Sequence, residues 1–240
     1  MRARTSATLS AMDDGAKAEE EEVMTLPAGY SDDARALWDA ATALNRAAAS
    51  VSPQAAGLPP LLFFTDPERT PRPWETAARL PAGSAVVYRA FGAADAADAV
   101  ETGRRLREAT TDRGVKLLVG LDADLAQTLA ADGVHLPERE THSAPAIRLA
   151  HPSWLITAAW HGGPPSIKAL DALILSPVFP AGGASADKPS LGIVAFQERA
   201  QSVPLPVYAL GGIKAANAAS LTATGACGLA AIDAIQSAFR

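Results

Sequence analysis

Lys116-Leu-Leu-Val-Gly-Leu-Asp-Ala-Asp-Leu-Ala-Gln-Thr-Leu-Ala-Ala-Asp-Gly-Val-His-Leu-Pro137 sets two short apolar runs, 116–120 and 133–137, on either side of an amphipathic stretch, 122–131. Runs that are apolar almost throughout suit strands covered on both faces. The stretch between them reads as a helix, and Asp122 and Asp124 place negative charge at its start, where the helix dipole favours it. A strand that returns parallel to its predecessor needs a crossover of a dozen or more residues, usually helical. The segment is therefore predicted to be one β-α-β unit of a parallel sheet.

The same alternation extends in both directions. Apolar or β-branched runs recur at 61–65, 85–90, 116–120, 133–137, 155–160, 172–176, 206–211 and 228–232, with helix-like stretches at 93–110, 122–131 and 214–224. Eight such runs favour closure into a ring over an open sheet. An open doubly wound sheet would carry a glycine-rich dinucleotide turn after its first strand. Here that strand ends in Thr65-Asp66-Pro67 instead. The expected fold is α/β, a small (β/α)8 TIM barrel with clipped helices, spanning 61–240.

Ahead of the barrel, residues 31–60 begin with the helix-start signal Ser31-Asp-Asp and carry Ala34, Leu37, Trp38, Ala41 and Leu44 at helical spacing. This extra N-terminal helix is predicted to end near Ala49, to run into a Pro/Gly/Ser linker over 50–60 and to pack on the barrel. Residues 1–30 are polar and without period, and are predicted to be a disordered extension. Their role and true start are open, since Met12 and Met24 are alternative beginnings.

The chain has 240 residues, 21 Lys and Arg against 26 Asp and Glu, and a net charge of −5. That balance argues against nucleic acid as partner, because a phosphate-tracking surface needs clustered positive charge. No stretch reaches the ~20 continuous apolar residues of a membrane span, and no secretion signal is read at the start. One cysteine, Cys227, excludes an intrachain disulfide and suits a reducing cytoplasm. Set in the apolar run Gly225-Ala-Cys-Gly-Leu-Ala-Ala-Ile232, it reads as a small buried hydrophobe.

In a barrel, function sits where strands end and loops begin. The seventh run, Pro206-Val-Tyr-Ala-Leu-Gly-Gly-Ile213, ends in a glycine pair. The loops after strands seven and eight commonly cradle phosphate on backbone N–H groups, and glycine lets the anion approach. A tight strand-to-helix turn would also explain the pair. Arg89 shares a strand face with Val87, so this charge must find a partner: a bound phosphate or carboxylate, or an internal salt bridge to Asp66 or Glu140. His161 ends the fifth run and is either an acid/base group titrating near neutral pH or a histidine hydrogen-bonded at a strand end. His135 is read as structural.

Several of these motifs, taken in order, resemble the thiamine phosphate synthase/TenI family over residues 61–235. Phe63-Phe-Thr-Asp66 is similar to its opening Ile-Thr-Asp, Ala131-Asp-Gly-Val-His135 to its Ala-Asp-Gly-Val-His, and Ser176-Pro-Val-Phe-Pro180 to its Gly-Pro-Val-Phe-Pro. Leu210-Gly-Gly-Ile213 and the run 225–232 resemble its last two strands. The resemblance implies that Gly211, Gly212, Ile232 and Asp233 hold the phosphate of the thiazole half of thiamine, and that Lys188 in the 181–189 loop matches a phosphate-reaching lysine. It also implies a TenI-like role for His161 as the acid/base of a thiazole tautomerase.

Departures from the synthase pattern stand beside these matches. The family's Asn-Asp pair after strand three falls on Gly120 and Leu121, and its second metal carboxylate on Glu140. Of the Gln-x-Arg-x-Lys pattern on strand two only Arg89 is kept, and the strand-five Ser becomes Ala159. Asp233 stands where the family has a small residue. Its carboxylate must turn away from a bound phosphate or weaken that site.

The expectation is therefore a TenI-like protein of thiamine biosynthesis acting on a thiazole phosphate. The alternatives are a divergent synthase joining pyrimidine pyrophosphate to thiazole phosphate, and a non-catalytic barrel that binds a phosphorylated ligand. No cofactor is expected, with Mg²⁺ entering only in the synthase case. The expected partners are a small phosphorylated thiazole or thiamine phosphate and, in a homo-oligomer, a second copy of the chain, with no nucleic acid and no membrane.

Overall fold

A computed structural model describes residues 25–91, 93, 95–183 and 188–240. Eight parallel strands close into a barrel in sequence order. They are β1 Leu61–Phe64, β2 Ala85–Tyr88, β3 Lys116–Gly120, β4 Gly133–Leu136, β5 Leu155–Trp160, β6 Ala172–Leu175, β7 Val207–Leu210 and β8 Ala226–Ala231. All eight predicted runs are strands. Their ends differ by at most two residues, because a strand ends where its ladder partner ends and the sequence does not display the partner. The ring closes through Leu61 opposite Leu229 and Phe63 opposite Ala231.

Alternation along each strand sorts the side chains into two cores. Leu62, Phe64, Ala85, Val87, Leu118, Ala172, Ile174, Tyr208 and Ala230 fill the barrel. Leu61, Phe63, Val86, Leu117, Val119, Val134, Ile156, Leu173 and Leu229 face the surrounding helices. Cys227 belongs to the interior set and is buried, and burial pushes its thiol up out of the reactive range.

The outer layer is clipped. After β1 comes α3 Pro73–Ala77, after β2 α4 Ala96–Thr111 and after β3 α5 Ala123–Thr128. A 3₁₀ turn leads into α6 Ala144–Ala150 after β4; α7 Gly192–Gln201 follows β6, α8 Ala215–Ala218 follows β7 and α9 Asp233–Ala238 follows β8. The stretch between β5 and β6 contains no helix. Asp95 and Asp122 cap α4 and α5 by accepting from the N–H groups of Asp98 and Leu125.

Strand starts are pinned by aspartates. Asp132 accepts from the Leu117 N–H and Arg107, and Asp171 accepts from the Ile156 N–H and Arg148. Each therefore ties the strand it precedes to the neighbouring strand and to the helix that leads into that neighbour, α4 for Asp132 and α6 for Asp171, which holds the register of the barrel.

Residues 31–60 form α1 Asp32–Val51, capped by the Ser31 hydroxyl, and the short α2 Pro53–Ala56. The buried face of α1, with Leu37, Trp38, Ala41 and Leu44, joins the outer core. Ala55 and Leu58 plug the amino-terminal end of the interior. Of residues 1–30, 1–24 lie outside the described residues, whereas 25–30 are placed on the barrel: Leu26 is buried and Arg35 donates to the carbonyls of Leu26 and Pro27. Among the described residues no helix is long and apolar enough to cross a membrane.

One side chain fastens α1 to the barrel. The Asn45 amide donates to the carbonyl oxygens of Ala55, Leu58 and Cys227. Asn45→Ala is expected to lower unfolding stability by about 1–3 kcal/mol, because the partly buried Leu58 and Cys227 carbonyls lose this donor, while the Ala55 carbonyl keeps the Leu58 N–H. Urea unfolding followed by tryptophan fluorescence measures this; an unchanged midpoint would mean that α1 is held by its apolar face alone.

Candidate functional site

The carboxyl ends of the strands open into two adjoining cavities. The first, of about 560 Å³, lies over β1, β6, β7 and β8 and is bounded by Asp66, Arg69, Ser176, Gly211, Gly212, Ile232 and Asp233. The second, of about 870 Å³, lies over β2 to β5 and is bounded by Phe91, Gly120, Leu121, His135, Pro137 and Ala159. Arg89 borders both.

The glycine pair has a steric cause of its own. Gly211 and Gly212 have φ of 102° and 63°, in the region that favours glycine. A Cβ on Gly211 would lie 2.7 Å from the Pro177 Cα, and one on Gly212 would lie 2.4 Å from the Pro180 carbonyl oxygen. The segment after β6 presses this close because the Val178 and Phe179 N–H groups donate to the Leu210 and Gly211 carbonyls. The pair thus serves the tight turn and also leaves bare main chain on the cavity wall.

Four of the residues expected to hold phosphate, Gly211, Gly212, Ile232 and Asp233, line the first cavity together. Ile232 precedes α9 and Asp233 is its first residue. The Asp233 side chain turns to Arg69, which donates from Nε to Oδ1 at 2.8 Å and from Nη2 to Oδ2. Arg69 did not emerge from the sequence. The signal was the Asp-Pro that follows β1: Asp66 Oδ1 accepts from the Glu68 and Arg69 N–H groups, a side-chain turn that projects Arg69 over the mouth.

Arg89 makes the internal bridge to Asp66. Its Nη2 donates to Asp66 Oδ2 at 3.1 Å and its Nε to the Thr65 carbonyl at 2.6 Å. Burial lowers its pKa and the Asp66 carboxylate opposes that shift, so the group stays charged at the boundary of the two cavities. Its guanidinium also lies 4.9 Å from the centre of the Phe91 ring.

His161 borders neither cavity. Its Nδ1 is paired at 2.7 Å with a Glu138 carboxylate oxygen on the rim, and both side chains are well exposed. Lys188 is exposed and also lies outside both cavity linings. His135, by contrast, forms the floor of the second cavity. Its Nδ1 is paired with the Thr157 hydroxyl at 3.0 Å, and its ring meets Phe64 edge-on. Burial, helped by the nearby Arg89 charge, lowers its pKa to about 3, so it is a neutral imidazole at physiological pH.

Magnesium asks for hard oxygen ligands, usually one or two carboxylates plus substrate phosphate. The positions the resemblance assigns to it do not fit. Gly120 has no side chain, and Leu121 holds a left-handed φ of 67° with 51% of its surface exposed. Glu140 lies beside Arg139 and His142. Asp122 spends Oδ1 on its helix cap. Among the described residues, no group of three or more His, Cys, Asp or Glu is placed to hold a metal ion.

A family model described as thiamine monophosphate synthase matches residues 61–235. The thiamine-phosphate synthase of Methanoculleus marisnigri is 37% identical over 134 residues, covering 54% of this chain and 64% of that protein. The chain thus spans just under two thirds of that relative's own length. The thiamine-phosphate synthase of Chloroflexus aurantiacus is 31% identical over 169 residues, covering 67% and 76%. Among solved structures, the thiamine phosphate pyrophosphorylase from Pyrococcus furiosus superposes with a TM-score of 0.62 at 26% identity, covering 75% of this chain and 91% of that one.

Proposed function

The chain belongs to the thiamine monophosphate synthase family, and from that premise we propose that it is a transferase of thiamine-phosphate-synthase type. The observation that carries this reading is the pair of cavities that share Arg89 as a common wall. A tautomerisation needs one bound ring with an acid/base group against it. A joining reaction needs two rings side by side, and holding them so removes much of the entropic barrier. The names of the relatives support the same choice. The order of the two readings drawn from the sequence is therefore reversed, because His161 faces Glu138 on the rim and borders neither cavity.

In this reading the first cavity holds the thiazole phosphate, with its phosphate against Gly211, Gly212 and the start of α9. The second holds the pyrimidine between Phe91, Leu121 and the neutral His135. The thiazole nitrogen forms the new C–N bond to the methylene carbon of the pyrimidine as that carbon's bond to oxygen breaks, and the pyrophosphate leaves with the electron pair. Arg89, charged and fixed by Asp66 and Thr65, presents positive charge to both rings' substituents at the boundary. Because the residues at the expected magnesium positions do not fit the ion, no step is routed through it.

A second reading, a barrel that binds its phosphorylated ligand without turnover, is favoured by the same replaced positions and by Arg89 being already paired. One experiment separates the two. The protein is incubated with both phosphorylated halves, with and without Mg²⁺, and calorimetry with the thiazole phosphate is run in parallel. Formation of thiamine phosphate is expected. Binding without product would favour the second reading, and neither binding nor product would reject both.

A further inference from the structure

Asp233 places a carboxylate beside the wall where a phosphate is to rest, and the same carboxylate is gripped by Arg69. We propose that Asp233 is an internal stand-in for a ligand's phosphate, and that Arg69 passes its grip from Asp233 to the phosphate when one enters. The proposal rests on the reading of the first cavity as a phosphate site.

A guanidinium fork fits carboxylate and phosphate oxygens with the same two-point geometry. Arg69 reaches across the mouth from the turn after β1 to the first residue of α9, 164 positions later in the chain. Its side chain is 26% exposed, whereas that of Asp233 is 62% exposed. The carboxylate can therefore swing into water while the guanidinium stays within the cavity. The loop after β6 closes on Arg69 from the other side: a Cβ on Gly183 would lie 2.9 Å from Nη1. Two-point geometry holds this pair, but water reaches its carboxylate side and screens it. A dianionic phosphate backed by the bare main chain of Gly211 and Gly212 makes the stronger partner. Affinity for the phosphate is then set by competition with Asp233.

The test is calorimetry with inorganic phosphate, with the thiazole phosphate and with its unphosphorylated alcohol, at one ionic strength. Asp233→Asn is expected to tighten both phosphate-bearing probes roughly three- to tenfold, since it removes a like charge and frees Arg69. Arg69→Gln is expected to weaken them about tenfold or more, and Arg69→Lys by less. The double variant is expected to recover little of the Arg69→Gln loss, because most of the effect of Asp233 passes through Arg69. The alcohol should bind equally to all four, which also shows that the variants fold. Unchanged or weaker phosphate binding in Asp233→Asn overturns the exchange, as does Arg69→Gln without effect. If inorganic phosphate behaves as described while the thiazole phosphate binds no better than the alcohol, the exchange stands and the substrate reading fails.

Discussion

Gly212→Ala is expected to destabilise the barrel by about 2–5 kcal/mol and to abolish phosphate-ligand binding. Two costs add. The residue holds φ at 63°, where an alanine is strained by about 1–2 kcal/mol. Its Cβ would also lie 2.4 Å from the Pro180 carbonyl oxygen and 2.7 Å from the Phe179 Cβ, and overpacking of this kind costs about 1–3 kcal/mol. Neither neighbour is the end of a flexible side chain, so relief requires the segment after β6 to move. That segment is hydrogen-bonded to Leu210 and Gly211 and forms one wall of the first cavity. Gly83→Ala is the control: its φ is 84° and nothing lies within 4 Å of the new Cβ, so about 1 kcal/mol of strain is expected and binding is kept. Urea unfolding and calorimetry on the two variants give the comparison, and equal losses in both would show that the close approach is not what demands glycine at 212.

The second large effect is on acid stability. His135 has its pKa lowered from 6.5 to about 3, chiefly by burial. An unfolded chain takes up a proton at this imidazole as pH falls through 6.5, and the folded barrel refuses it down to about 3. The stabilisation is thus complete above pH 6.5 and declines as pH falls towards 3. At ~1.4 kcal/mol per unit, this one group is expected to remove roughly 2–3 kcal/mol of stability between pH 6.5 and 4.5. His135→Gln keeps a side chain that can pair with the Thr157 hydroxyl but does not titrate, so its stability should lack this component. Unfolding at the two pH values measures the difference between the proteins. Parallel losses in wild type and variant would mean that other groups govern the acid limb.

The ring, its eight strands and the N-terminal helix were legible because each is written locally. Apolar runs of strand length, helical spacing of Leu37, Trp38, Ala41 and Leu44, and the Asp122 and Asp124 charges at the start of α5 need no distant partner to be recognised. The grouping of Gly211, Gly212, Ile232 and Asp233 was implied by the family resemblance, and the adjacency of strands seven and eight is what brings them into one cavity. Arg89 was legible as a charge that needs a partner, and Asp66 was among the partners considered.

Direction and pairing of side chains at the mouth were not legible. The sequence cannot tell which way His161 leaves the end of β5, because that depends on whether Glu138, after a different strand, offers it a carboxylate. Nor does it show that the Gly-Gly turn is forced by the backbone after β6. By itself the chain's text determined the closed parallel barrel and the cavity end, since periodicity and crossover length are properties of contiguous residues. Only the tertiary structure decided that Arg69 grips Asp233, that Arg89 joins two cavities, and that His135 lies neutral beneath one of them. Those relations arise when the ring closes and brings the turn after β1 against the start of α9, residues that interact through space and leave no mark in the sequence between them.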